Sequence, residues 1–305
     1  MIADKPRNHG PRVSRWLSRI SSVLDRFDPS SPWITIASLA LFASGTVVAV
    51  SRIRIDASDL RLLPLILLVI SAIPMTALTA AEYWASGRIA KRRIPPADAM
   101  RTAIVSTAAN LLPIPGGVLV KTQALRRRGI RGTFALATQL VMALQWLAVA
   151  GLAGALALGI EGEPAALVFG GVSVVAATLG ITLLVRLAPE RWRPLLGLVA
   201  AVETGFVLNA GLRLFLALLA LGIRPSVTQV LVLASASVLA SYIAVFPGGL
   251  GIRELITAAL APLVGLEPAI GFLAAALLRA TAILLYIPLL TWTRKLSSGD
   301  HTPIS

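Results

Sequence analysis

The chain has 305 residues, 56% of them hydrophobic and 14% charged, with a formal net charge of +14 and a mean hydropathy of +0.82. That is too apolar for a soluble domain of ordinary composition, and the expected fold class is an all-α polytopic integral membrane protein. There is no cysteine, and the two histidines, His9 and His301, lie in polar tails, which excludes disulfides and thiolate sites and leaves the apolar body without histidine chemistry.

Residues 1–32 are polar and basic, with Val13, Trp16, Leu17, Ile20, Leu24 and Phe27 at helical spacing among arginines; this predicts a cytoplasmic basic segment carrying an amphipathic helix in the membrane interface. Residues 33–293 form the transmembrane domain. Its first span runs over Trp33–Val50 and its second over Leu62–Ala80, each near the roughly 20 residues needed to cross the hydrocarbon. A basic loop with Glu82, Trp84, Arg88 and Lys91 follows, and Pro95-Pro96 stops any helix there.

From Ala97 to Leu112 the chain is moderately apolar. Pro113, Pro115, Gly116 and Gly117 then break it, and a basic stretch begins near Lys121. Neither arm is a complete span, so residues 97–128 are expected to form a re-entrant hairpin. Three full spans follow, over Phe134–Leu158, Ala165–Leu187 and Leu195–Leu221. Val227–Phe246 leads to a second break and Gly251–Leu263 leads away from it, which predicts a second hairpin. Ala269–Trp292 is the sixth span, and residues 294–305 are a cytoplasmic tail.

The two breaks match. Pro115-Gly116-Gly117-Val118-Leu119-Val120-Lys121 and Pro247-Gly248-Gly249-Leu250-Gly251-Ile252-Arg253 share the pattern P-G-G-[V/L]-x-[V/I]-[K/R] at an offset of 132 residues. Interrupted helices at membrane depth survive where they are buried in protein or line a cavity, so matched interruptions predict an inverted repeat, with halves at about 62–158 and 195–292 and a site between them. With six spans and two hairpins, one side holds 21 Lys and Arg and the other holds Arg52, Arg54, Arg61 and Arg224. The positive-inside rule puts the richer side, with both termini, in the cytoplasm. A drawing with eight crossings places the termini on the same side and remains open.

Five charges stay inside apolar stretches: Arg213, Arg253, Arg279, Glu203 and Glu254. Each costs on the order of 3 kcal/mol at the bilayer centre, which makes such residues functional candidates. Arg253 and Glu254 fall in the first turn after the break, where free N–H groups favour an anion. Lys121 is the counterpart of Arg253. Glu203 lies about 15 Å from Arg213 along a shared helix, so Arg253 or Arg279 is its expected partner. Glu203 and Glu254 are also candidates for balancing charge or relaying a proton.

These two motifs carry a resemblance. Phe246-Pro247-Gly248-Gly249-Leu250-Gly251-Ile252-Arg253-Glu254-Leu255 is similar to the P-x-G-G-x-G-x-R-E signature, here without the spacer residue, of the lysylphosphatidylglycerol synthase transmembrane region. Leu112 to Lys121 resembles that family's earlier P-x-x-G motif. The resemblance implies flippase-like movement of a charged phospholipid or lipid-linked sugar between leaflets of a bacterial inner membrane. It places Pro247, Gly248, Gly249, Gly251, Arg253 and Glu254 at the lipid site, to which Lys121 and Arg279 are added from the charge pattern. No aminoacyl-transferase domain follows residue 292, so no enzymatic activity, metal or cofactor is expected. The expected partner is membrane lipid and not nucleic acid. The alternative is a non-transporting scaffold that serves a separate glycosyltransferase or aminoacyl-transferase, and a homo-oligomer is compatible with either reading.

Overall fold

The computed structural model describes residues 42–51, 61–110, 116–242 and 251–298. The basic segment 1–32, the first half of the first predicted span, the tail beyond residue 298, and the break residues Pro113, Pro115, Phe246, Pro247, Gly248, Gly249 and Leu250 lie outside them. The described residues form eleven α-helices: α1 (Phe42–Ser51), α2 (Leu62–Ile70), α3 (Ala72–Ile89), α4 (Pro96–Ala109), α5 (Gly116–Arg127), α6 (Gly132–Ile160), α7 (Ala165–Leu187), α8 (Trp192–Ala220), α9 (Val227–Tyr242), α10 (Ile252–Leu260) and α11 (Pro268–Ser298), with a 3₁₀ turn at Ala261–Val264 between the last two.

Five stretches of the described residues are long and apolar enough to cross a membrane: Leu62–Ile89, Gly132–Ile160, Ala165–Leu187, Trp192–Ala220 and Pro268–Tyr286. They coincide with five of the six expected spans, and the chain is a multi-pass membrane protein. The surface agrees: Leu167 is 82% exposed and Leu62 71%, with Val168, Val174, Leu63 and Ile66 exposed around them. A water-soluble monomer rarely carries a contiguous apolar surface of this kind, whereas lipid requires one.

The second span is longer than its apolar core suggests. Helix continues through Glu82, Trp84 and Arg88, which the sequence reading placed in a loop. No helix breaker intervenes before Pro95, and Glu82 finds a cationic partner, described below. The helix stops in a Schellman turn: Lys91 takes a left-handed φ of 55°, and Arg92 N donates to Gly87 O at 2.8 Å. Near its other end the span bends at Ser71. Pro74 explains the bend, because its ring crowds the carbonyl four residues back, at Ile70.

The long helices pack closely through small residues. A side chain at Gly154 would strike the Phe169 ring and one at Gly180 would strike Gln145, so α6 and α7 meet at backbone distance, as membrane helices do in the absence of a hydrophobic drive between them. Ser173 Oγ adds a hydrogen bond to Ala148 O at 2.7 Å across the same interface.

The molecule has two distinct ends. At one, Ala85, Ile89, Met142, Leu184, Leu195 and Val199 bring together the ends of α3 and α7 and the starts of α6 and α8. At the other, Leu68, Leu158, Leu218, Leu233, Val264 and Ala274 bring together α2, the ends of α6 and α8, and the starts of α9 and α11. The connections at the first end carry Lys91 to Arg93, Arg128, Arg131 and Arg191, and Lys91 approaches Glu190 at 4.0 Å across two of them. Those at the second carry Arg61 and Arg224 beside Glu161, Glu163 and Glu267.

Helices α4 and α5 have 14 and 12 residues, about 21 and 18 Å, too short for a hydrocarbon core of about 30 Å. They pack on one another and are tied at the basic end, where Arg128 pairs with Asp98 and reaches Arg93 O at 3.5 Å. At their far end the backbones nearly touch, since a Cβ on Gly116 would lie 2.5 Å from Ala109 O. Asn110 Oδ1 accepts from Gly117 N at 2.7 Å there, capping α5 across the break.

Helices α9 and α10 repeat this design at the opposite end. They have 16 and 9 residues and also pack together. Gln229 Nε2 donates to Val264 O at 3.1 Å, tying the start of α9 to the turn after α10. Both short pairs are thus laced at their open ends, one pair at each end of the molecule.

Candidate functional site

The buried charges fall into two groups. The first is built on the turn after the second break. Gly251 has a φ of 82°, a conformation that costs a side-chain-bearing residue on the order of 1–2 kcal/mol, and it starts α10. Three residues on, Glu254 turns its carboxylate back, and Gly251 N donates to its Oε2 at 3.0 Å. This satisfies one of the free N–H groups of the first turn.

The same carboxylate, 0% exposed, accepts from Arg279 on α11: Nε reaches Oε1 at 2.6 Å and Nη2 reaches Oε2 at 3.4 Å. The fork geometry follows from the packing of the two helices. Gly271 lets α11 approach until a Cβ there would sit 2.7 Å from Thr257 O, with Arg279 two turns along the same face of α11 and Glu254 one turn from Thr257 on α10.

Arg253 lies beside this pair. Arg279, Glu254 and Arg213 are the charged groups that act on it, and it is half-buried. Its Nε has no hydrogen-bond partner among the described residues. Arg213 enters from α8, 8% exposed, with Nε and Nη2 both unpartnered among the described residues. Tyr286 of α11 stands near Arg213, its hydroxyl hydrogen-bonded to Thr76 Oγ1 at 2.7 Å and to Ala72 O at 3.3 Å, just past the bend in the second span. Arg279 thus pairs with Glu254, Arg253 is the next residue to Glu254 and feels both, and Arg213 acts on Arg253 from α8.

The second group contains Glu82 on α3, Lys121 on α5 and Glu203 on α8. Lys121 Nζ forms an ion pair with Glu82. Glu203 is 2% exposed, the charged groups near it are Glu82 and Lys121, and its Oε1 has no partner among the described residues. The expectation that Arg253 or Arg279 would pair with Glu203 is therefore corrected: Arg279 is engaged by Glu254, and ten residues of α8 hold Glu203 about 15 Å from Arg213.

Of the residues singled out from sequence, Gly251, Arg253, Glu254 and Arg279 come together. Lys121 and Glu203 gather instead with Glu82, and Pro247, Gly248 and Gly249 lie outside the described residues. Two members of these groups were missing from the expected site. Arg213 was visible as a charge in an apolar stretch, although nothing local to α8 tied it to the second break. Glu82 was hidden by its basic neighbours, and the uninterrupted helix-forming run up to Ile94 was the signal that it belongs to a span.

No curated protein matches the chain significantly. The model of one protein family, described as the lysylphosphatidylglycerol synthase TM region, matches residues 16–289. The match takes in both breaks, all five described spans and every buried charge discussed above, and the chain belongs to that family.

Proposed function

We propose that the chain binds the phosphate of an anionic lipid headgroup among Arg213, Arg253 and Arg279 and lets that lipid cross between leaflets, without modifying it as an enzyme. The observation that carries this reading is the charge imbalance of the first group among the described residues: three guanidinium groups against the carboxylate of Glu254, with Arg213 Nε and Nη2 and Arg253 Nε unpartnered there. Buried charge is tolerated where a partner or a functional ligand compensates it. A phosphate does so with oxygens that match the guanidinium fork. An excess of two positive charges suits a phosphomonoester better than a zwitterionic phosphodiester.

Glu254 holds Arg279 in position in this scheme, and Gly251 shapes the start of the helix beside the headgroup. The short helix pairs act as re-entrant hairpins, one from each side of an inverted repeat, as in transporters that bind substrate at broken helices. By the positive-inside rule, the basic end with both termini faces the cytoplasm of a bacterial inner membrane.

A flip assay in proteoliposomes tests the reading, with fluorescent phosphodiester lipids and a polyprenyl phosphate, for wild type and Arg253→Ala. Loss of a charge-assisted hydrogen bond worth about 1.5–3 kcal/mol lowers headgroup affinity by roughly 10- to 100-fold, and flux at limiting lipid should fall in proportion. Folded wild-type protein that moves none of these lipids overturns the transport reading in favour of a scaffold for a separate lipid-modifying enzyme.

A further inference from the structure

The group formed by Glu82, Lys121 and Glu203 has two carboxyls for one ammonium, with Glu203 buried and Glu82 and Lys121 only slightly exposed. Lys121 is committed to Glu82. Glu203, on the neighbouring helix, is 2% exposed and its Oε1 meets no donor among the described residues. The helices are in close contact at this level, because a Cβ on Gly205, two residues after Glu203, would lie 2.7 Å from the Leu78 side chain, one turn before Glu82. We propose that this group is a proton-binding site, in which Glu203 and Glu82 hold one exchangeable proton between them over the single cation Lys121.

Among the described residues, Glu82 and Lys121 are the charged groups that act on Glu203. Helices α2, α6 and α9, which pack against α8, carry no Asp, Glu, Lys, Arg or His. On α7 only Arg186, in the last turn, is charged. Helix α11 carries Arg279 and Tyr286, which belong to the arginine group, and Arg294 and Lys295 in its last two turns, and on α3 Arg88 is exposed over the Trp84 ring, 4.7 Å from its centroid. A carboxylate at such depth without a donor or a cation of its own costs several kcal/mol; taking up a proton removes the charge and gives the oxygen a hydrogen to donate to its neighbour. The inference stands on this cluster and is independent of the lipid reading. It supplies a chain that has no nucleotide-binding motif with an ion to exchange.

Dicyclohexylcarbodiimide is the direct probe, since it modifies protonated carboxyls in apolar surroundings. The carboxyl proton passes to a carbodiimide nitrogen, the carboxylate oxygen adds to the central carbon, and an acyl shift leaves a stable N-acylurea with no leaving group. Full-length protein in detergent micelles is treated across acidic to alkaline pH, and the modified residues are identified by peptide mass spectrometry. Label is expected on Glu203 or Glu82 at acidic pH, falling as pH rises, while Glu254, locked to Arg279, serves as the unlabelled control. Lys121→Met, which removes the only cation, should raise labelling at alkaline pH by about tenfold. Absence of label on both carboxyls of folded wild-type protein, or labelling that does not change with pH, overturns the proposal, and neither result depends on any variant folding.

Discussion

Replacing Glu254 by Gln changes one atom at the centre of the arginine group and should be among the most damaging conservative substitutions in the chain. The carboxylate accepts from Arg279 Nε at 2.6 Å, Arg279 Nη2 at 3.4 Å and Gly251 N at 3.0 Å. An amide keeps one accepting oxygen, and its NH₂ must then face an N–H donor on the other side. The substitution thus removes charge-assisted bonds, sets donor against donor and leaves Arg213, Arg253 and Arg279 uncompensated. Breaking a buried pair from one side costs about 3–5 kcal/mol, and at roughly 2–4 °C per kcal/mol for a domain somewhat smaller than this chain the loss is on the order of 10 °C. Helical circular dichroism followed through thermal unfolding in detergent measures it. Adding Arg279→Gln should recover part of the loss, because two amides satisfy one another. A single variant that melts within about 1 °C of wild type, or a double variant that melts below the single one, would refute the view that Glu254 anchors this group.

Gly251→Ala forces a side chain onto a φ of 82° and should cost about 1–2 kcal/mol, seen as a melting temperature lowered by a few degrees in the same assay. Arg213→Met removes a buried guanidinium with two unpartnered nitrogens, so thermal stability should rise by about 1 kcal/mol while binding of a spin-labelled or fluorescent lipid phosphate weakens at least tenfold; equal or stronger binding would remove Arg213 from the site. In proteoliposomes, wild-type lipid movement should follow the sign of an imposed pH gradient and Glu203→Gln should move lipid without responding to it, because the amide has no proton to exchange. A gradient response that survives this substitution would separate Glu203 from any coupling.

The helical membrane fold was legible because hydrophobic runs of spanning length are a direct consequence of bilayer thickness. The breaks were legible too, since Pro and Gly act through local backbone geometry, and Gly251 with its positive φ is where that chemistry becomes visible in three dimensions. What the sequence did not reveal is partnership. Arg279 lies 25 residues from Glu254, and Lys121 lies 39 residues from Glu82. Nothing in a linear string states which acid faces which base when every helix is apolar on most sides. Helical spacing alone predicted that Glu203 and Arg213 would not meet, and that exclusion agrees with the structure. Choosing Arg253 or Arg279 for Glu203 failed because it treated all buried charges as one group, when the 15 Å between those two positions on α8 already allowed two.

The repeat itself accounts for the difference between the groups. At the offset of 132 residues, Lys121 corresponds to Arg253, Thr122 to Glu254 and Leu147 to Arg279, and Glu82 falls within one residue of the counterpart of Arg213. In the first half the acid comes from the preceding span and neutralises Lys121 one to one. In the second half that position is a second cation, the following span adds a third, and the acid seen to pair with them among the described residues is Glu254, next to Arg253 in the motif. Thr122, which stands at the matching place in the first half, has a buried hydroxyl without a partner among the described residues. Two halves with the same arrangement of short helices have thus been given opposite electrostatics: a carboxyl-rich centre that suits a proton and an arginine-rich centre that suits a phosphate. The span that supplies Glu203 to one and Arg213 to the other is α8, and a rigid helix linking the proposed proton site to the proposed anion site about 15 Å away is the physical element through which occupancy of one would bias the other. An α8 variant that shifts the register between the two, such as one alanine inserted at 208, rotates Arg213 by about 100° relative to Glu203 and should abolish the pH response of lipid movement while leaving carbodiimide labelling of Glu203 in place; loss of labelling together with movement would instead mean that the bundle had failed to form.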